Sequence, residues 1–121
     1  MAAMETKGSA TCFRVTDLEH ALAWYTDVLG FTPQFRFGDY AGISHGEVTL
    51  HLAGPSVPNA RIPGQGSIYI FCGDVDSWHE EISARGAVSQ APPRDYEYGM
   101  RDFVLSDPDG NLIGFGQETA G

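Results

Sequence analysis

The chain has 121 residues, 42% of them hydrophobic, which suits one compact domain or two small modules packed together. Its 16 acidic residues against 7 lysines and arginines give a formal charge of −9, which argues against a nucleic-acid partner. No stretch approaches the roughly 20 apolar residues of a membrane span. Residues 1–9 lack the pattern of a secretory signal, so we expect a cytoplasmic protein with no membrane partner.

The first half of the chain predicts a strand, a helix and three more strands. Residues 10–15 form the first strand, and a capping box with Thr16 as N-cap and Glu19 three residues later predicts the start of the helix. Apolar residues at helical spacing continue to Gly30, a typical helix stop. The three further strands are predicted at 31–37, 40–45 and 48–52.

The second half repeats this order. Residues 67–72 predict a strand, and Asp74 predicts the N-cap of a helix that ends at Gly86. A short strand at 88–90 and a loop at 91–99 follow. The loop is rich in proline and tyrosine, and we expect it to act as a lid, since loops on a rigid scaffold often carry binding residues.

A hairpin closes the chain, with a tight turn at Asp107-Pro108-Asp109-Gly110. The repeated order of elements predicts an α+β fold of two βαβββ modules that form a cupped, mostly antiparallel sheet with helices on the outside. We expect a single domain made of module 1 at about 9–53, a linker at 54–66 and module 2 at about 67–118.

Three segments resemble a known superfamily: FRVTDL at 13–18, WYTDVLGF at 24–31 and DPDGNLI at 107–113. They are similar to the vicinal oxygen chelate superfamily, which includes glyoxalase I, extradiol dioxygenases and bleomycin-resistance proteins. Residues 39–43 and 98–105 look most like the bleomycin-resistance branch. That resemblance implies a homodimer that sequesters a drug in grooves formed by both subunits, without catalysis.

Enzymes of this superfamily hold one divalent ion with three or four His, Glu or Gln side chains. The resemblance places those positions at Ala10, His51, Ser67 and Gly114. Only His51 is a good ligand, and a catalytic ion needs about three protein donors. We therefore predict no metal, no cofactor and no metal-dependent chemistry. An enzyme of the same superfamily with an atypical or absent metal site remains the alternative.

Aromatic and acidic residues cluster on the segments expected to line the cup, a combination that suits a planar, cationic antibiotic or aromatic metabolite. His51 faces either the cup or a neighbouring strand, and Phe35 and Phe37 either line the cup or pack in the core. Arg101 could pair with Asp102 or with a ligand anion. The candidate ligand-binding residues are Phe35, Phe37, Tyr40, His51, Tyr69, Tyr96, Tyr98, Arg101 and Asp102.

Overall fold

The computed structural model describes residues 4–58 and 61–119. Positions 59 and 60 of the predicted linker and residues 1–3 of the N-terminal segment lie outside the described residues. The elements in chain order are β1 (Thr11–Arg14), α1 (Leu18–Asp27), β2 (Thr32–Phe37), β3 (Tyr40–His45), β4 (Val48–Ala53), β5 (Ser67–Phe71), α2 (Val75–Ala84), β6 (Arg94–Asp95), β7 (Met100–Ser106) and β8 (Leu112–Glu118).

The two halves build the same kind of sheet. The strand order is β1-β4-β3-β2 in the first sheet and β5-β8-β7-β6 in the second. In each sheet the pair that includes the first strand is parallel and the other pairs are antiparallel. This confirms the predicted α+β class with two βαβββ modules. Neither ten-residue helix is long and apolar enough to cross a membrane.

The first helix begins differently from the prediction. Its N-cap is Asp17, whose Oδ1 accepts a hydrogen bond of 3.1 Å from the backbone N–H of His20. Thr16 is engaged elsewhere, since its hydroxyl donates to Asp109 at 2.6 Å and its backbone N–H to the same oxygen at 3.1 Å. The predicted capping box is therefore wrong, because Thr16 hydrogen-bonds to Asp109 of the second module and does not cap the helix.

The second module contains two departures from the prediction. The strand predicted at 88–90 does not form, and Ser89 alone bridges to β7. The outer strand is instead β6, inside the segment predicted as a loop. Pro92 and Pro93 have no backbone N–H to donate, so regular pairing begins only after them, at Arg94. The predicted N-cap of α2 at Asp74 is confirmed.

A single hydrophobic core lies on the helix side of both sheets. The Trp78 ring of α2 lies 5.0 Å from the Phe115 ring of the second sheet and 4.9 Å from His45 of the first, centroid to centroid. Leu50 and Leu52 of β4 are fully buried in this core. Because successive strand residues point to opposite faces, the other side of each sheet remains available for a site.

The closing turn fastens the two modules together. The Asp107 carboxylate is 4% exposed, and its Oδ1 accepts from the backbone N–H groups of Asp109 and Asn111, both at 2.9 Å. Its Oδ2 accepts from the Tyr25 hydroxyl of α1 at 2.8 Å and from the Asn111 side chain at 2.9 Å. Asn111 also donates to the carbonyl of Arg14 in β1, at 3.3 Å. Burial, with the neighbouring Asp107 carboxylate, raises the pKa of Tyr25 well above its ordinary value.

Candidate ligand-binding faces

The first face is the side of the first sheet opposite α1, and it carries Cys12, Phe35, Phe37, Tyr40 and His51. His51 lies between the buried leucines of β4 and points to this face, where its Nδ1 shares a hydrogen bond of 2.8 Å with the Tyr40 hydroxyl. Cys12 is the register partner of His51 in the parallel pair and is exposed. Burial raises the pKa of Tyr40, and the Cys12 thiol beside it adds to the shift.

Phe35 joins the aromatic residues of the first face. Its ring lies edge-on to His51, with centroids 5.2 Å apart, and 5.7 Å from the ring of Phe37. It rests directly on the backbone of Gly42, where a Cβ would come within 2.1 Å of the ring. Phe37 projects outward and is 76% exposed. The first face therefore combines a ring packed on the sheet with a ring open to solvent.

The second face is the side of the second sheet opposite α2, and it carries Tyr69, Phe71, Tyr98 and Asp102. Asp102 is 4% exposed, and its Oδ2 accepts from the Tyr69 hydroxyl at 2.8 Å and the Tyr98 hydroxyl at 2.6 Å. The Tyr96 ring stacks on Tyr98 with centroids 5.2 Å apart and planes 6° from parallel. This face therefore gathers several rings around one carboxylate.

The Asp102 carboxylate keeps the two hydroxyls protonated. Its hydrogen bond, with a smaller contribution from burial, raises the pKa of Tyr98 to about 12. Burial and the same carboxylate raise the pKa of Tyr69 well above the ordinary value of 10. Both hydroxyls are therefore hydrogen-bond donors at neutral pH, since a phenolate could not donate to Asp102.

We expect Asp102→Asn to lower the pKa of both tyrosines toward 10. A folded-state pKa raised above the unfolded value means that the stabilisation is present below about pH 10 and is lost as the pH rises through about 12. The Cζ chemical shifts of ¹³C-labelled tyrosine, followed by NMR on raising the pH, measure each pKa. Asp95→Asn is the matched control, and a tyrosine pKa that is unchanged in Asp102→Asn would contradict this assignment.

The positions that hold a metal in the superfamily's enzymes do not fit one here. Gly114 lies under the Tyr69 ring, and a Cβ at Gly114 would be 3.0 Å from that ring. Ala10 and Ser67 are exposed residues, of which the first has no donor side chain. In residues 4–58 and 61–119, no three or more His, Cys, Asp or Glu side chains are grouped to hold a metal ion. The absence of a metal or cofactor stays a prediction.

Arg101 does not join the second face. Its Nη2 lies 2.9 Å from Oδ1 of Asp76 in α2, and its Nη1 lies 3.2 Å from Oδ1 of Asp95 in β6. Neighbouring residues of a strand point to opposite sides, so Arg101 faces the helix while Asp102 faces the rings. Of the two predicted alternatives for Arg101, the pairing with Asp102 does not form, and a contact with a ligand anion stays a prediction.

The structure adds Phe71 to the predicted residues. Phe71 is 76% exposed, and its ring centroid lies 5.3 Å from that of Tyr69. The two residues are separated by one position of β5, so the two-residue period of a strand places them on the same face. That period could have identified Phe71 once Tyr69 was assigned to the site.

Comparison with known proteins identifies the family. Residues 9–115 match the Glyoxalase/Bleomycin resistance protein/Dioxygenase superfamily. A bleomycin resistance protein of Geobacillus stearothermophilus is 28% identical over 120 residues, which cover 86% of this chain and 91% of that protein. The structure of a superfamily member from Sphaerobacter thermophilus has a TM-score of 0.81 at 27% identity, covering 96% of this chain and 100% of that one.

A further solved structure shares the fold at lower sequence identity. TnmS3, an antibiotic binding protein from Streptomyces sp. CB03234, has a TM-score of 0.80 at 23% identity, covering 98% of this chain and 100% of that one. The resemblance noted in the segments at 13–18, 24–31 and 107–113 is thus confirmed over nearly the whole chain. This chain belongs to the glyoxalase/bleomycin resistance protein/dioxygenase superfamily.

Proposed function

We propose that this protein binds a planar, cationic antibiotic or aromatic metabolite and releases it unchanged. The observation that carries the proposal is the exposure of aromatic rings on the two faces: Phe37 and Phe71 are each 76% exposed, and Tyr98 is 64% exposed. Exposed apolar patches of this kind commonly mark binding surfaces. Each ring stacked on a planar ligand would contribute about 1 kcal/mol.

The charge and the relatives support the chemical class of the ligand. A formal charge of −9 attracts cations through the summed field of the protein. The 28% identical relative is a bleomycin resistance protein, which favours an antibiotic. The residues at the family's metal positions do not fit an ion, which favours binding over metal-dependent catalysis. We also propose a cytoplasmic location, where the free thiols of Cys12 and Cys72 stay reduced.

We further propose that the ligand groove is completed in a homodimer. Both faces leave large rings in contact with solvent in the single chain, and a second copy would cover them. Symmetric dimers are the commonest assembly of soluble proteins. Sedimentation equilibrium tests this arrangement: we expect a two-chain mass, and a Phe37→Glu, Phe71→Glu double variant should shift the population toward single chains.

A ligand screen combined with cysteine protection tests the proposed function. Cationic and aromatic antibiotics, bleomycin among them, are first screened by thermal unfolding, since a ligand at 100 times its Kd stabilises the fold by about 2.7 kcal/mol. In the proposed dimer groove, which joins the two faces, we expect N-ethylmaleimide to alkylate Cys12 about tenfold more slowly when a hit is present at about ten times its Kd. Mass spectrometry reads the labelled position and recovers the ligand.

Cys72 provides the internal control for this experiment. It is half-buried against the hydrophobic core, and burial raises the pKa of its thiol. Its slow alkylation should not respond to a ligand on the first face. Equal protection of both cysteines would indicate general stabilisation of the fold, not binding at the face. Recovery of a chemically changed ligand would contradict the proposed function.

A further inference from the structure

We propose that Asp102 anchors the cationic end of the ligand through N–H hydrogen bonds. The ligand would then carry a primary or secondary ammonium, an amidinium or a guanidinium group, and a quaternary ammonium would bind more weakly. This inference rests on the proposed function, because it specifies which cation the second face selects. It is carried by the hydrogen bonding, the burial and the surroundings of one carboxylate.

Two buried aspartates of this chain differ in how their oxygens are used. Asp107 and Asp102 are each 4% exposed. Both oxygens of Asp107 are occupied, by four donors in all, as expected of a structural carboxylate. Asp102 accepts both of its hydrogen bonds, from Tyr69 and Tyr98, on Oδ2. Within the described part of the chain, no hydrogen bond reaches its Oδ1.

The free oxygen remains within reach of solvent. Among the described residues, no fully buried side-chain oxygen or nitrogen lacks a hydrogen-bond partner. Oδ1 of Asp102 has no partner there, so it cannot be fully buried. A carboxylate that is 4% exposed thus keeps one acceptor that is not completely sealed from solvent, on the face that carries the rings. An incoming N–H group could bind this oxygen without displacing either tyrosine hydroxyl.

Within the described residues, the carboxylate also forms no ion pair. The ion pairs formed by the described residues use other acidic groups, in Glu19, Asp76, Glu81 and Asp95. Arg94 is the register partner of Asp102 across β6 and β7, but its guanidinium lies 4.8 Å from the centre of the Tyr96 ring. Burying a charge is costly unless it is paired, so a bound cation would stabilise the second face.

The surrounding rings would hold the aromatic part of the same ligand. Tyr69 and Tyr98 hydrogen-bond to Asp102, while the Phe71 ring lies beside Tyr69 and the Tyr96 ring stacks on Tyr98. A cation over these rings gains attraction from their π-faces whether or not it carries N–H groups. Only an N–H donor also gains the charge-assisted hydrogen bond to the carboxylate. Comparing ligands that differ only in methylation of the nitrogen therefore distinguishes the cation–π attraction from the hydrogen bond to the carboxylate.

Three fluorescent probes, which share a planar anthracene ring and differ in the charged group, test whether the hydrogen bond to Asp102 contributes to binding. The probes are 9-anthrylmethylammonium, its N,N,N-trimethyl derivative and 9-anthracenecarboxylate, each titrated by fluorescence into the wild type, Asp102→Asn and Asp95→Asn. In the wild type we expect the primary ammonium to bind about tenfold more tightly than the quaternary one, with the carboxylate weakest. In Asp102→Asn the ratio of the two cation affinities should fall to about one, as the charge-assisted bond is lost.

The Asp95→Asn variant removes the same formal charge from the same module, at an exposed residue paired with Arg101. It should keep the wild-type ratio. Equal affinities of the two cations in the wild type, a ratio that survives in Asp102→Asn, or a ratio lost equally in Asp95→Asn would each overturn the inference. If none of the three probes binds the wild type, the inference fails, whereas the proposed function is tested separately by the antibiotic screen. If Asp102→Asn does not fold, the ratio of the two cation affinities in the wild type, compared with that in Asp95→Asn, still tests the inference.

Discussion

Replacing Asp107 with alanine should lower the free energy of unfolding by about 3 to 5 kcal/mol, the loss expected when one member of a buried polar network is removed. The substitution leaves the Tyr25 hydroxyl, two backbone N–H groups and the Asn111 side chain without their acceptor. These groups join α1 to the closing turn, so the contact between modules weakens as well. Urea unfolding at neutral pH measures the change.

Two variants separate the parts of this network. Tyr25→Phe removes only the donor from α1 and should cost about 1 kcal/mol. Asp109→Ala removes an acceptor for the Thr16 hydroxyl and N–H at a more exposed site, and should also cost about 1 kcal/mol. A loss in Asp107→Ala no larger than these would show that the buried carboxylate does not hold the modules together.

Replacing Gly116 with alanine should disrupt the second face. A Cβ at Gly116 would lie 1.9 Å from the Tyr69 hydroxyl oxygen, so the tyrosine must leave its place on the sheet. It would lose its hydrogen bond to Asp102. We expect the free energy of unfolding to fall by about 1 to 3 kcal/mol through overpacking. The affinity for 9-anthrylmethylammonium should fall about tenfold, by the loss of one stacking and hydrogen-bonding residue.

Gly73 provides the control for Gly116. A Cβ at Gly73 would meet no atom within 4 Å, and neither glycine has a positive φ. Gly73→Ala should therefore leave probe binding unchanged and stability equal or slightly greater, since alanine restricts the unfolded chain. Unchanged probe binding in Gly116→Ala, with Tyr69 in its original position by NMR, would show that the close approach is not needed for the site.

Local patterns predicted most of the fold. The strand at 40–45, the Asp74 cap and the closing hairpin depend on neighbours a few residues apart, which the sequence shows directly. The local sequence predicts Thr16 as a cap because Glu19 stands three residues on. Its real partner, Asp109, lies 93 positions away, and no local pattern reports such a contact.

The site was harder to predict, because a sequence shows the type of a residue but not its partners. Strand alternation already separates Arg101 from Asp102, but the ion pair of Arg101 with Asp76 depends on where α2 packs. Tyr69 and Asp102 were both predicted as site residues, whereas their hydrogen bond spans 33 positions. The metal position at Gly114 was predicted to lack a ligand, and the structure adds that the Tyr69 ring covers it.

Each face packs an aromatic side chain closely against a glycine, Phe35 against Gly42 and Tyr69 against Gly116. Because Gly42 has no side chain, rotation of the Phe35 ring about χ1 would open a shallow slot one ring thick, with no movement of the backbone. Tyr69 is held in place by its hydrogen bond to Asp102, so this rotation would change the shape of the first face alone. The first face could therefore accommodate flat ligands of different thickness with the same strands.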